Sequence, residues 1–195
     1  MDLQEQFINL SLDKQVAAFS GIVAVLAGII TAIVALSNFR QSILQREAEL
    51  KWKQASIAKD LVKEIHDHPR SSNAILMLDW FTCHRIHDFS QKEATTIDYK
   101  DVLETLPKVR NPNPGEKELY ILDCFDWFFY YIDRLEQYIR DGLINFDNVR
   151  HIFFPYYEKI TNNKNTYDAF MEARLYKLAP EFWARYHKEQ IRHKF

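Results

Sequence analysis

Between Lys14 and Arg40 the chain carries 25 consecutive residues without a charged side chain, and the centre of that run reads VAAFSGIVAVLAGIITAIVAL. With a rise of 1.5 Å per residue, about 20 helical residues cross the roughly 30 Å hydrocarbon core of a bilayer. A core helix of a soluble protein keeps a polar stripe over such a length; this run has none. The sequence therefore predicts a single transmembrane helix over residues 16–39, its most apolar part being 16–36, preceded by a short segment over 1–15. A cleaved leader fits less well. Ala35-Leu36-Ser37 has the small-x-small look of a cleavage site, but no basic stretch opens the chain, and the apolar run exceeds the usual length of about 7–15 residues.

Direction follows from the flanking cations. Lys14 alone precedes the run, whereas Arg40, Arg46, Lys51 and Lys53 follow it closely. Positive charge is retained on the cytoplasmic side, so the expected placement is the cell inner membrane, with the N-terminus outside and the C-terminal domain in the cytoplasm. Within the span, Ser20, Ala24, Gly28 and Ala32 recur every four residues, and Gly21, Gly28 and Ala35 every seven. Small residues let two helix backbones approach closely. Ser20, Gly21, Ala24, Gly28 and Ala32 are accordingly the candidate contacts of a homo-oligomer formed through the membrane helix.

No helix breaker occurs between Phe39 and His68, and Pro69 ends that stretch. Residues 40–68 are expected to continue the helix as a juxtamembrane stalk. Leu36, Ile43, Leu50 and Ile57 recur every seven residues, extended by Leu61 and Ile65. Charged Arg46, Lys53 and Asp60 occupy the alternate seam positions, so a strict coiled coil is not specified; the stripe can instead dock on the protein's own domain. Trp52 between two lysines suits the headgroup region. His66-Asp67-His68 stands at the end of the stalk. The helix dipole is enough to explain histidines there, and protonation near pH 6 would make the joint a switch.

Residues 70–195 are expected to form one cytoplasmic helical bundle, making the whole an all-α fold. Only 4 Gly and 6 Pro occur, too few for a fold built on tight turns, while 14 Phe, 10 Tyr and 4 Trp, mostly beyond the span, can fill a core. The pattern places helices over about Ser71–Phe89, Asp98–Leu106, Glu116–Asp141, Phe146–Ile160 (kinked or split at Pro155), Thr166–Leu178 and Pro180–Ile191. Leu122, Phe125, Phe129, Ile132, Leu135 and Ile139 give the third of these a wide apolar face, so it should be central. Gly142 occupies the position just past its end that favours a left-handed backbone.

The segment from that aromatic and acidic helix through Arg140-Asp141-Gly142-Leu143-Ile144 to Asp147, Val149, Phe153, Phe154 and Tyr157 resembles a bacterial family of uncharacterised, membrane-anchored helical proteins. The layout is similar over about residues 15–190. The resemblance implies one N-terminal span, a basic stalk and a helical domain with this helix–Gly-Leu–helix join. It implies no catalytic residues.

Beyond the span the chain is electrically neutral, with 24 basic and 24 acidic side chains, which argues against nonspecific nucleic-acid binding. Cys83 and Cys124 lie in apolar stretches and read as reduced thiols. Cys83, His84, His87 and Asp88 have helical metal-ligand spacing, but no second cluster completes four ligands. No Gly-rich phosphate loop, nucleophile elbow or zincin motif is present, no Arg lies four to six residues before any His, and no cofactor is implied. The C-terminal stretch RYHKEQIRHKF is locally basic. Arg185 and Lys188, with Arg174 and Lys177, are candidate ligand-binding residues for a phosphate-bearing molecule or anionic headgroups.

The leading expectation is a non-enzymatic, membrane-anchored interaction or regulatory protein whose domain binds a protein or small ligand. A bacterial defence effector, in which a nucleotide binds the domain and rearranges the spans, and a metal-dependent enzyme are the alternatives.

Overall fold

The computed structural model describes residues 12–79, 84–86 and 95–192. Its helices are α1 (Leu12–Asp67), α2 (Pro69–Asp79), α3 (Tyr99–Thr105), α4 (Glu116–Arg140), α5 (Arg150–Asn162), α6 (Lys164–Ala173) and α7 (Ala179–Arg192). The fold is all-α. Two strands of three residues, β1 (His84–Ile86) and β2 (Thr95–Ile97), pair antiparallel between α2 and α3, with Arg85 opposite Thr96. The chain divides into two compact units, residues 1–51 and 52–195.

Among the described residues, the first unit is the N-terminal part of α1. The second begins at Trp52, inside the segment read as a stalk. The seven-residue stripe divides accordingly. Leu36, Ile43 and Leu50 are exposed, whereas Ile57 packs partly buried against the domain core and Leu61 and Ile65 are buried in it. Glu64 pairs with Arg134 at 2.9 Å, and Gln54 Nε2 donates to the Gly142 carbonyl at 2.9 Å. The last turns of α1 thus run antiparallel to α4.

Helix α4 is the centre of the domain, and α2, α3 and α7 pack against it. Its buried residues include Phe125, Phe128, Phe129, Ile132 and Leu135. Phe129 meets Tyr167, Phe170 and Tyr176 at ring-centroid distances of 5.8–6.3 Å. A second aromatic group of Phe146, Phe153, Phe182 and Tyr186 packs edge to face, the arrangement that ring quadrupoles favour.

Local chemistry sets the boundaries. Asp98 and Asp101 form a reciprocal capping box at the start of α3, with bonds of 2.8 and 2.9 Å. Past α4, Gly142 takes φ +71°, and the Leu143 N–H returns to the Tyr138 carbonyl at 2.9 Å. The expected helix from Ser71 does not run through to Phe89: α2 is described to Asp79, and His84–Ile86 are extended as β1. The Lys159 ammonium donates to the Leu78 carbonyl near the end of the described part of α2, and β1 pairs with the β-branched Thr95-Thr96-Ile97 strand. Pro155 does not divide its helix. The break lies earlier, where Phe146–Asn148 form a 3-10 turn capped by Asn145. Pro155 and His151 are both exposed, and the helix continues past the proline, which leaves the His151 carbonyl without its N–H partner.

After α6, Leu175 holds φ +62° and is exposed, while the Tyr176 N–H closes back on the Met171 carbonyl at 2.9 Å. Glycine usually fills this place, because a Cβ there costs about 1–2 kcal/mol. Leu175→Gly is expected to raise stability by roughly 1 kcal/mol. Phe125→Ala and Phe129→Ala are expected to lower it by about 3–5 kcal/mol. Chemical denaturation of the detergent-solubilised full chain measures both.

Candidate functional sites: the apolar segment and the charged face of α4

Among the described residues, one helix is long and apolar enough to cross a membrane: an 18-residue window within Val16–Asp67 has a mean hydropathy of 2.5, with none of it buried. Every residue from Val16 to Phe39 is exposed, including 12 large apolar side chains. Leaving them in water forgoes on the order of 20 kcal/mol of burial, more than the whole stability of a typical domain, about 5–15 kcal/mol. Two hydroxyls in the run are bonded within the helix: Ser20 donates to the Val16 carbonyl and Thr31 to the Ala27 carbonyl, both at 2.8 Å. Such back-bonding suits a medium without water. Around Gly21 the surface forms a shallow groove lined by Ala18, Ile22, Val25 and Leu26. A Cβ at Gly21 or Gly28 would meet nothing within 4 Å. Ser20, Ala24 and Ala32 are exposed on the same helix.

In the domain, the four candidate ligand-binding residues do not form one cluster. Arg174 pairs with Asp126 at 3.0 Å and lies against the Phe170 ring. Arg185 grips Glu136 with two bonds of 2.8 and 2.6 Å. Ten residues separate Asp126 from Glu136 on α4, about 15 Å along the axis. Lys177 and Lys188 are exposed.

The two arginines instead belong to a clamp that binds the last third of the domain to α4. Glu136 is fully buried and also accepts from Arg140 at 3.3 Å, and Arg140 reaches on to Glu181. Asp133 accepts the N–H groups of Leu178 and Ala179 at 3.0 and 2.6 Å, which starts α7. Tyr176 donates its hydroxyl to the Asp126 carbonyl at 2.7 Å. Burial pushes the Asp126 carboxyl up, with the Arg174 guanidinium opposing. Asp126, Asp133 and Glu136 interrupt the apolar face at spacings of seven and three, a helical register that marks them in the sequence as inward-facing acids.

Another face of α4 carries aromatic and cationic side chains that the sequence pattern left unassigned. Trp127 and Tyr130 are partly exposed, in T-shaped contact at 5.7 Å. The Arg134 guanidinium lies within 6 Å of the Tyr130, Tyr131 and Tyr138 rings. Trp, Tyr and Arg are the residues that dominate protein–protein contacts energetically.

For the metal reading, Cys83, His87 and Asp88 lie outside the described residues, and His84 begins β1. Among the described residues no three His, Cys, Asp or Glu side chains gather where they could hold a metal ion. Cys124 is a buried thiol. Of the basic C-terminal stretch, Arg192 ends α7, and His193 and Lys194 lie outside the described residues.

No protein-family model, curated protein or solved structure matches this chain.

The clamp separates structural from binding roles. Arg185→Ala leaves a buried carboxylate with Arg140 as its remaining partner and is expected to cost about 3 kcal/mol. Lys188→Ala, at an exposed position, should stay within about 0.5 kcal/mol of the parent. Denaturation midpoints of the two variants, measured side by side, test the assignment.

Proposed function

We propose that the protein is a non-enzymatic, membrane-anchored interaction protein that self-associates through its transmembrane helix and presents a cytoplasmic helical domain to a protein partner. What carries the reading is the exposed apolar surface from Val16 to Phe39, for which a lipid bilayer is the natural solvent. Arg40, Arg46, Lys51 and Lys53 on its C-terminal side support the inner-membrane orientation, with the domain in the cytoplasm. Trp52, exposed between two lysines, suits the headgroup layer.

Self-association is supported by the small-residue face of Ser20, Gly21, Ala24, Gly28 and Ala32, where the helix backbone is open to approach. Two anchored copies meet at raised effective concentration, so weak contacts between them or with a shared partner are strengthened without new chemistry. A protein fits the domain surface better than a small ligand does. Trp127 and Tyr130 are exposed beside Arg134 on one helix, and these residue types dominate protein–protein contacts. The similarity to the bacterial membrane-anchored family belongs to the same proposal, supported by the left-handed Gly142 join. The nucleotide-gated alternative is weakened by the engagement of Arg174 and Arg185 with carboxylates.

The mass of the full-length protein, extracted in mild detergent, tests the proposal. The expected result is an oligomer whose dissociation constant rises about tenfold in Gly28→Ile, where a branched side chain props the backbones apart. A monomer at all accessible concentrations, or an oligomer indifferent to Gly21 and Gly28, contradicts it.

A further inference from the structure

Helix α1 ends at Asp67 and α2 begins at Pro69, so His68 alone joins them. Its N–H donates to the Glu64 carbonyl at 3.0 Å, and its own carbonyl accepts from the Ser72 N–H at 2.9 Å. The backbone of one residue thereby closes the last turn of α1 and the first turn of α2. Its imidazole serves α2. Nδ1 accepts the Ser71 N–H at 3.4 Å, the bond that Ser, Thr, Asp or Asn usually supplies at the start of a helix. A histidine can do this only while Nδ1 keeps a free lone pair, that is, while the ring is neutral with its proton on Nε2.

The ring rests against Trp127, with centroids 4.2 Å apart, and meets the edge of Tyr131 at 5.7 Å. Charged groups face it from each neighbouring element: Glu64 on α1, Arg70 on α2 and Asp123 on α4. The two carboxylates are themselves engaged, Asp123 with Arg70 at 2.8 Å and Glu64 with Arg134 at 2.9 Å. Neither is a dedicated partner for an imidazolium.

We propose that His68 is a proton-operated latch at the α1–α2 joint. When neutral it caps α2; when protonated it releases the Ser71 N–H and frees the first turn of that helix. An imidazolium would also stand at the positive end of the α2 dipole. The Trp127 face can still hold it, so protonation loosens the cap rather than expelling the ring. Burial holds the His68 pKa below its ordinary value of 6.5; Asp123 and Glu64 oppose this and Arg70 reinforces it. With the folded-state value lowered, the stabilisation is complete above pH 6.5 and is lost as the pH falls through the folded-state value.

Hydrogen exchange of the full-length protein in detergent micelles tests the latch. The amides over residues 71–73 are followed at pH 7.5 and pH 5.0 after correction for intrinsic rates. Protection should fall about fivefold at the lower pH, the usual worth of an N-terminal cap, with a midpoint below 6.5. In His68→Asn the side-chain oxygen caps without titrating, so protection should persist at both pH values. In Asp123→Asn, which removes a carboxylate favouring the imidazolium, the midpoint should move lower. Equal protection of the parent protein at both pH values overturns the proposal, as does an unchanged pH response in His68→Asn. If that variant does not fold, an unmoved midpoint in Asp123→Asn has the same force.

Discussion

Twelve large apolar side chains on one uninterrupted stretch of helix have no cover among the described residues of the chain. Water cannot accept that surface without a penalty larger than the stability of an ordinary domain. The other features of the segment are consistent with a medium that takes no hydrogen bonds: helical backbone throughout, the Ser20 and Thr31 hydroxyls bonded back one turn, and charges only at the ends. The proposals of membrane anchorage, sidedness and pairing through small residues all depend on where this surface is solvated.

The domain depends on a different economy. Helix α4 presents an aromatic face to the core and, interleaved with it, three acids that hold the chain from Arg174 to Arg185. Glu136 shows why such residues matter. A fully buried carboxylate is tolerable only with charged hydrogen-bond donors, and Arg140 and Arg185 supply them. The basic residues near the C-terminus are therefore partly structural, which bears on any account in which they greet a ligand.

Much of this was legible in the sequence. The apolar run, the helix from Glu116, its burial of Phe125 and Phe129, and the left-handed Gly142 follow from spacing and from residue types with a single strong preference. Other parts depend on partners distant in the chain. Nothing local to His84–Ile86 says that this stretch is extended, because the strand it pairs with, Thr95–Ile97, lies about ten residues on. Arg174 and Arg185 look like free cations until α4 brings Asp126 and Glu136 to them. Pro155 looked like a kink or a divider, yet its helix continues from Arg150 to Asn162. His68 appeared to belong to the end of a stalk, whereas its ring caps the helix that follows; a cap by histidine carries no sequence signal of the kind that Ser or Asp would. Trp127, Tyr130 and Arg134 have a helical spacing of three and four, and that pattern was masked by the aromatic richness around it.

The central claim is that α1 lies in a bilayer over residues 16–39, and thiol accessibility measures this directly. Single cysteines placed from Lys14 to Trp52, in a background without native thiols and in sealed cell-derived vesicles, are exposed to a membrane-impermeant maleimide. The account predicts a protected window of about 20–24 residues, with position 14 labelled from the extracytoplasmic side alone and positions beyond Arg40 from the cytoplasmic side alone. Labelling across the window at the rate of flanking positions, or from one side throughout, would contradict it.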